Sequence, residues 1–150
     1  MRNRRSSRPA TLAGLLAVGA LAIAGCGSSE SDGNSDRGTI DGSWKGTFTQ
    51  SGGEDFEGYV EIDTLRAGMV SGTVFYPSID GSGACSGVVV YKGKDGDAYL
   101  FTEEIITSEN PNCAKRGQVK VTSVDDGSAI EYSWRSGSRS SVGNLQEWDD

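Results

Sequence analysis

The residues of this chain that could carry out chemistry are few, and their types exclude several kinds of site. The 150 residues include three cysteines and no histidine. Histidine is the commonest general base near neutral pH and the commonest metal ligand. Since no C-x-x-C spacing is present either, we expect no catalytic triad, no metal site and no cofactor.

Carboxylates are the remaining candidates for catalysis. Glu103 and Glu104 are adjacent in a predicted strand, so they face opposite sides and do not form an acid–base pair. One of them must point inward, and apolar residues on both faces of this strand leave open which one. An inward glutamate would bind a cationic ligand or, as we favour, belong to a hydrogen-bonded core pair. A hydrolase built on Asp63, Glu103 or Glu104 is the least favoured function.

Two acidic turns resemble calcium loops only superficially. Asp95-Gly96-Asp97 and Asp125-Asp126-Gly127 each supply two carboxylates, whereas calcium takes six or more oxygen ligands. Hairpin turns explain both segments better, because Gly and Asp tolerate a positive φ.

Aromatic residues at inward positions form a candidate ligand pocket. Aromatic walls suit small apolar or sugar-like ligands. A filled core is the favoured alternative, because small barrels are just wide enough for side chains alone. The candidate pocket residues are Trp44, Tyr76, Tyr91, Tyr132, Trp134 and Glu103.

Short runs of alternating apolar and polar residues must position these side chains. Gly and Asp/Asn clusters separate the runs about every ten residues, and no helical periodicity is present over a useful length. Eight strands are predicted, at Ser43–Gln50, Gly58–Leu65, Met69–Tyr76, Ser86–Lys92, Ala98–Thr107, Gly117–Val124, Ala129–Arg135 and Val142–Trp148.

The alternation predicts one buried face per strand. Trp44 and Phe48 share one face of the first strand, Val70 and Val74 share one face of the third, and the other strands follow the same pattern. Short links favour antiparallel neighbours in an up-and-down meander. We therefore predict an all-β fold, an eight-stranded closed barrel, with a two-sheet β-sandwich as the alternative.

The N-terminal segment has the pattern of an export signal. Residues 1–9 contain four arginines and no acid, residues 10–25 are almost entirely apolar, and Cys26 follows. The apolar run is shorter than the roughly 20 residues of a spanning helix. Ile23-Ala24-Gly25-Cys26 resembles a bacterial lipobox. That resemblance implies a signal peptide at 1–25 and a diacylglycerol on Cys26, whose two acyl chains would hold the protein on the membrane.

Removal of this leader would leave a strongly acidic chain. Without the four arginines of the leader, the chain has ten basic and 21 acidic residues, which gives a net charge of −11. Such a chain lacks the clustered Lys and Arg that nucleic acids require, so no nucleic-acid partner is expected. Residues 27–38 contain no apolar side chain and predict, with Cys26, a flexible tether over 26–38 of roughly 20 Å span.

The other two cysteines are predicted to form a disulfide. Cys85 and Cys113 each precede a strand that starts at the same end of a meander. Strands separated by one neighbour lie about 9–10 Å apart, but the loop at 108–112 allows Cys113 to reach back. Oxidation is expected in an exported chain.

Several motifs resemble a family of extracytoplasmic β domains. The quoted residues are G-x-W-x-G-T from Gly42, V-x-G-x-V-x-Y-P-S from Val70, C-S-G-V-V-V from Cys85, E-E-I-I from Glu103 and E-Y-S-W from Glu131. The family occurs in actinobacterial lipoproteins and as the outer part of some membrane-spanning serine/threonine kinases. The G-x-W start is also similar to lipocalin and avidin-type barrels. These likenesses imply a fold and a sensing role in the kinases, but no activity.

We therefore expect a β domain over 39–150 that is anchored to the extracytoplasmic face of the cell membrane. The leading hypothesis is a non-enzymatic domain that binds a small ligand, an envelope component or a protein. The alternative is a structural or accessory interaction domain with a packed core and no ligand pocket.

Overall fold

Eight antiparallel strands make up the computed structural model, which describes residues 39–149. The predicted leader 1–25, Cys26 and the tether 26–38 lie outside the described residues. The second and eighth strands start earlier than predicted, and the fourth is longer at its C-terminal end. The strands are β1 Gly42–Gln50, β2 Phe56–Ile62, β3 Val70–Tyr76, β4 Cys85–Asp95, β5 Ala98–Ser108, β6 Arg116–Val124, β7 Ala129–Ser136 and β8 Arg139–Glu147.

The strands close into an up-and-down barrel, which confirms the predicted fold. Each strand pairs with the next along the chain, and β1 also pairs with β8. In that closing pair Trp44 lies opposite Glu147, and Gln50 lies opposite Ser141. The sandwich alternative is thereby excluded. Closure removes the two open edge strands that an unclosed meander would have.

The connections define two ends of the barrel. The upper end carries the loops at 51–55, 77–84 and 109–115 and the turn at 137–138. The lower end carries Ile40, the loop at 63–69 and the turns at 96–97 and 125–128. Asp125 and Asp126 have φ of 51° and 57°, so the acidic turn is the positive-φ connection that the sequence predicts.

Inward side chains fill most of the barrel. Large apolar residues alternate with outward polar ones on most strands, as a period of two requires. Phe48, Ile130, Tyr132 and Leu145 are fully buried. The other core members include Ile40, Trp44, Phe56, Val60, Ile62, Val74, Tyr76, Val89, Phe101, Val119 and Val121.

The third strand departs from the predicted inward face at Val70. The pairing of β3 with β4 shifts register between Val70 and Gly72. An irregularity of this kind changes which side chains face inward. Val70 is therefore 59% exposed, and its neighbour Ser71 is buried instead. The prediction for Val74 is confirmed, because Val74 lies beyond the shift and is buried.

The outer face is less uniformly polar than the alternation predicts. Phe75 and Ile106 are exposed on it. Tyr59 contacts Phe75 and Trp148, with ring centroids 6.1 and 5.3 Å apart, and the Lys45 ammonium lies 5.2 Å from the Tyr59 ring centre. We call Lys45, Tyr59, Phe75 and Trp148 the outer aromatic cluster. Its three rings and the alkyl chain of Lys45 cover part of the outer surface of β1 to β3.

A disulfide between Cys85 and Cys113 fastens the upper end, as the sequence predicts. The two Cα atoms are 6.1 Å apart. The bond joins the first residue of β4 to the loop before β6, across the β5 strand that separates them. No helix within residues 39–149 has the length and apolarity needed to cross a membrane.

Candidate functional site

Glu103 is the inward member of the glutamate pair. It is 3% exposed, and its register partner on β4 is the core residue Val89. Glu104 points outward, where its carboxylate lies 3.2 Å from the Arg116 guanidinium. The strand alternation thus separates one solvated carboxyl from one that is deep in the barrel.

Two tyrosines donate hydrogen bonds to the same oxygen of Glu103. The Tyr76 hydroxyl lies 2.8 Å and the Tyr132 hydroxyl 2.7 Å from Oε2. Tyr76 ends β3 and Tyr132 lies in the middle of β7, so the barrel brings together three strands that are distant along the chain. Hydrogen bonds to a carboxylate are roughly twice as strong as neutral ones. The predicted hydrogen-bonded role of the inward glutamate is therefore present.

Phe48 holds both tyrosine rings in place. Its ring meets the rings of Tyr76 and Tyr132 edge-on, each with 5.6 Å between centroids. Phe56 stacks on the Phe48 ring at 5.3 Å. Edge-on contacts of this kind are favourable for aromatic quadrupoles. They leave the tyrosine hydroxyls aimed at one point on Glu103.

Burial controls the ionisation of this group of side chains. Desolvation raises the pKa of Glu103, while the hydrogen bonds from Tyr132 and Tyr76 act in the opposite direction. Burial and the adjacent Glu103 carboxyl raise the pKa of Tyr76 and Tyr132 well above the ordinary value. Both phenols therefore stay protonated as donors over the physiological range.

Trp134 directs its indole N–H at the same carboxyl. This N–H acts with the two tyrosines to hold down the pKa of Glu103. Its Nε1 is buried, and its approach to Glu103 is too long or too bent to count as a full hydrogen bond within residues 39–149. Gly117 on β6 makes room for the ring, because a Cβ at that position would collide with the indole. Buried N–H groups without a partner are rare and require an explanation.

A small cavity at the upper end joins these groups. Its volume is about 30 Å³, which holds on the order of two water molecules. Pockets for drug-sized ligands are about tenfold larger. Its lining is mainly apolar around Glu103, and it consists of Gln50, Phe56, Tyr76, Ile79, Cys85, Glu103, Ile105, Cys113, Ala114, Trp134, Arg139 and Ser141.

Polar contacts between loops reinforce the rim of this cavity. The Asp80 carboxylate accepts hydrogen bonds from the side-chain amides of Asn110 and Asn112, at 2.7 and 2.8 Å. Hydrogen bonds from Ser82 and Asn112 are the main causes that lower the pKa of Asp80. Arg139 donates to the Asn112 carbonyl oxygen at 3.1 Å. With the disulfide, these contacts link the loops at 77–84 and 109–115 to each other and to the start of β8.

The structure brings together four of the six predicted pocket residues and separates two. Tyr76, Trp134 and Glu103 line the cavity, and Tyr132 is bonded to Glu103. Trp44 lies towards the lower end, where its Nε1–H donates to the Ile40 carbonyl oxygen at 2.9 Å. Tyr91 packs on the Phe101 ring at 5.3 Å and is only half-buried.

Several residues of the site are absent from the sequence-based set. Ser141 lies opposite Trp134 in the pairing of β7 with β8, and Gly117 lies opposite Glu103 in the pairing of β5 with β6. Both residues could be identified from the strand register, but a serine and a glycine do not by their type indicate a binding site. The inward position of Phe48 on β1 is predictable from the alternation, but its contacts with the two tyrosine rings depend on strands that are distant along the chain.

The chemistry available at this site is hydrogen bonding in a mostly dry cavity. Glu103 is the one carboxylate among the described lining residues. Within residues 39–149, no group of three or more acidic or sulfur side chains is placed to hold a metal ion. No protein-family model, curated protein or solved structure matches this chain.

Proposed function

We propose that this chain is a lipid-anchored protein of the extracytoplasmic membrane face, and that its barrel is a non-enzymatic binding domain. A group of a small ligand or envelope component enters the upper end at the cavity that Glu103 and Trp134 line. The lipobox pattern at Cys26, the acidic charge and the disulfide support the location. The site geometry supports the binding role.

One observation carries the binding role. Glu103 is a buried carboxyl with two donors on one oxygen, and the Trp134 N–H beside it in the same cavity completes no full hydrogen bond. A purely structural core would be more stable with an apolar residue at this position, because buried polar groups with unmet hydrogen bonds are costly. A site that binds a polar group of a ligand would retain these buried polar side chains in spite of that cost.

The positions of the other two candidate carboxylates support a non-enzymatic role. Glycoside hydrolysis requires two carboxyls about 5 to 9.5 Å apart in one cleft. Here Glu104 is outside the barrel, and Asp63 follows β2 in the exposed loop at the lower end. Neither lines the cavity that contains Glu103.

A second candidate function has its own observation. The cavity of about 30 Å³ admits no whole ligand, and the rest of the barrel is filled by side chains. This favours the accessory domain with a packed core, in which Glu103 and its tyrosines would serve only to fix the core. The two functions differ in whether anything besides water enters the cavity that Glu103 and Trp134 line.

Membrane attachment is tested by changing Cys26→Ser in the full chain. We expect wild-type protein in the membrane fraction and the variant in the culture supernatant. Ser29→Ala is the matched control, because it changes a residue close to Cys26 but leaves the lipobox and the Cys85–Cys113 disulfide intact. Equal membrane partition of the wild type and Cys26→Ser would contradict lipid anchoring.

Binding is tested on the secreted Cys26→Ser protein with a thermal-shift screen. The probes are purified envelope polysaccharides, lipids and soluble envelope proteins. A stabilising probe should lose its effect in Trp134→Phe and keep it in Trp148→Phe, since Trp148 is on the outer face. If no probe stabilises the protein, or if both variants respond alike, the accessory-domain function is favoured.

A further inference from the structure

The outer face of β6 and β7 is basic, although the barrel as a whole is acidic. Residues 39–149 contain nine basic and 17 acidic side chains, and five of the nine basic ones lie between positions 115 and 139. The side chains on the outer face of the two strands are exposed or half-buried. We call Arg116, Gln118, Lys120, Ser133 and Arg135 the basic surface.

Strand pairing brings the three cations of this surface together. Gln118 lies directly opposite Arg135, and Lys120 lies opposite Ser133. Arg116 and Lys120 are therefore both diagonal neighbours of Arg135, a relation in which residues lie about 7–8 Å apart. The three charges surround Gln118, an arrangement that only the register of β6 against β7 produces.

Two adjoining depressions of the outer surface follow these side chains. One, of about 480 Å³, is lined by Arg116 and Arg135, and the other, of about 390 Å³, by Lys120 and Arg135. Gln118 lines both, and neither contains a carboxylate in its lining. Volumes in this range are typical of ligand sites. None of the three cations lines the cavity that contains Glu103.

Two of the three cations have no carboxylate partner. Arg116 forms an exposed ion pair with Glu104 at 3.2 Å, and this is the ion pair that residues 39–149 contain. The acidic residue of β7, Glu131, accepts a hydrogen bond from Ser133 instead. Neighbouring like charges repel each other, so a bound anion would relieve the repulsion between Lys120 and Arg135.

Neutral polar side chains lie between the charges and indicate what else the partner carries. The depressions are also lined by Gln118 and by the hydroxyls of Thr102, Ser133, Ser136 and Ser140. Amide and hydroxyl groups both donate and accept hydrogen bonds. Sugar hydroxyls do the same, so a glycan matches these groups, whereas a bare phosphate chain matches only the cations.

We propose that the basic surface binds an acidic polysaccharide whose sugars carry carboxylates. The Arg135 guanidinium pairs with one carboxylate through two parallel hydrogen bonds, Lys120 binds a second carboxylate, and Gln118 binds sugar hydroxyls between them. Acidic groups elsewhere on the barrel oppose this only weakly, because physiological salt screens charges beyond about 8 Å. The proposal goes beyond the proposed function, since it concerns the side of the barrel and not the cavity.

Three probes separate the charge from the sugar. Hexagalacturonate carries a carboxylate on every sugar, its methyl ester keeps the sugars without the charge, and linear hexaphosphate keeps charge without sugar hydroxyls. The measurement is an NMR titration of the secreted Cys26→Ser protein at physiological salt, followed through the side-chain amide of Gln118.

We expect hexagalacturonate to shift the Gln118 signal in a saturable way. The methyl ester should bind about tenfold more weakly, because it loses the charge-assisted hydrogen bonds. Hexaphosphate should bind about threefold more weakly, because it lacks partners for the neutral side chains.

Removal of one cation tests the position of the site. Arg135→Gln should weaken hexagalacturonate binding about three- to tenfold. Lys92→Gln is the matched control, because it makes the same change of charge at an exposed residue of β4. Equal losses in the two variants would overturn the site, since binding would then follow the overall charge alone.

Removal of one carboxylate should strengthen binding. Glu104→Gln releases Arg116 from its ion pair, so hexagalacturonate should bind about two- to fivefold more tightly, the range of one surface ion pair. Glu57→Gln is the matched control, because it removes an exposed carboxylate on β2. An equal gain in both variants would contradict a role for Arg116.

The probes also identify the other possible partners. Equal binding of the methyl ester would overturn the role of charge, and tighter binding of hexaphosphate would replace the glycan by a phosphate polymer. If phosphatidylglycerol vesicles move the Gln118 signal and hexagalacturonate does not, the surface faces a membrane and the proposal falls. None of these outcomes affects the cavity of Glu103, which the thermal-shift screen tests through Trp134.

Discussion

Trp44 and Trp134 both point into the barrel, and they differ in how their indole N–H groups are used. Trp44 is 2% exposed and donates to the Ile40 carbonyl oxygen at 2.9 Å. Trp134 is only half-buried, and its N–H forms no hydrogen bond within residues 39–149. The first arrangement is that of a structural core residue. The second retains an unmet hydrogen bond at a cavity.

The two ends of the barrel differ in the same way. The lower end is covered by Ile40, which packs in the core with Trp44 and is fully buried. The upper end is held from outside by the disulfide and by the Asp80 contacts, and it encloses polar groups. Apolar packing therefore closes the lower end, whereas the upper end combines the aromatic packing of Phe48 and Phe56 with cross-links and retains a cavity.

The largest expected effect concerns the lower end. Trp44→Ala should reduce the free energy of unfolding by about 3 to 5 kcal/mol, because it removes a large buried ring and leaves the Ile40 carbonyl without its donor. Trp134→Ala should cost less than about 3 kcal/mol, since that side chain is only partly buried and its N–H loses no full hydrogen bond. Urea unfolding of both variants measures the difference. Equal losses would contradict the contrast between the two tryptophans.

The next effect concerns the cross-link at the upper end. Cys85 and Cys113 are 28 residues apart. Replacing both by alanine should cost about 3 to 4 kcal/mol, because the open chain gains loop entropy in the unfolded state. Guanidinium unfolding of the double variant against the wild type, both without reductant, measures the loss. A loss below about 1 kcal/mol would mean that the Asp80 contacts alone hold the upper end.

The barrel and the disulfide were predictable because their signals are local. A period of two marks each strand, and Gly or Asp marks each turn, so β1 to β8 follow from the pattern. The loop at 108–112 is long enough for Cys113 to reach Cys85, which made the disulfide predictable. The exposed side chain of Val70 was not predictable, because the register shift beside Gly72 arises from the pairing with β4 and not from the sequence of β3.

The site was predictable as a set of residue types but not as a geometry. Inward alternation placed Tyr132 and Trp134 in the barrel correctly. It did not separate Trp44 and Tyr91 from them, because the height of a side chain along the barrel depends on strand register. The choice between Glu103 and Glu104 was equally open, since apolar residues lie on both faces of β5.

A smaller effect tests the hydrogen bonds to Glu103. Tyr132→Phe removes one of the two donors and should reduce the free energy of unfolding by about 1.5 to 3 kcal/mol, the range for hydrogen bonds to charged groups. Because that hydrogen bond lowers the pKa of Glu103, the variant should raise it further. Urea unfolding and a carbon-13 NMR titration of the Glu103 carboxyl measure the two effects. Tyr59→Phe on the outer face is the matched control, and an unchanged Glu103 titration would contradict the shared-oxygen geometry.

The smallest expected effect is a dependence on pH. Folding raises the pKa of Glu103 above its ordinary value of 4.5. At a pH between the unfolded-state pKa and the folded-state pKa, the folded state therefore binds more protons than the unfolded state. Stability from this group is therefore complete below about pH 4.5 and declines as the pH rises towards the folded pKa. Glu103→Gln keeps an oxygen that both tyrosines can donate to, and its side chain cannot ionise. The free energy of unfolding of this variant should therefore increase relative to that of the wild type as the pH rises above about 4.5.

Urea unfolding at a series of pH values measures this difference between Glu103→Gln and the wild type. Glu104→Gln is the matched control, because it changes an exposed carboxyl on the same strand and retains Glu103, so the pH slope should persist in it. A difference that stays constant with pH would mean that the Glu103 carboxyl is solvated through the cavity as well in the folded chain as in the unfolded one. The upper end would then be an open, wet site, and the contrast with the dry lower end would be sharper than the burial of Glu103 implies.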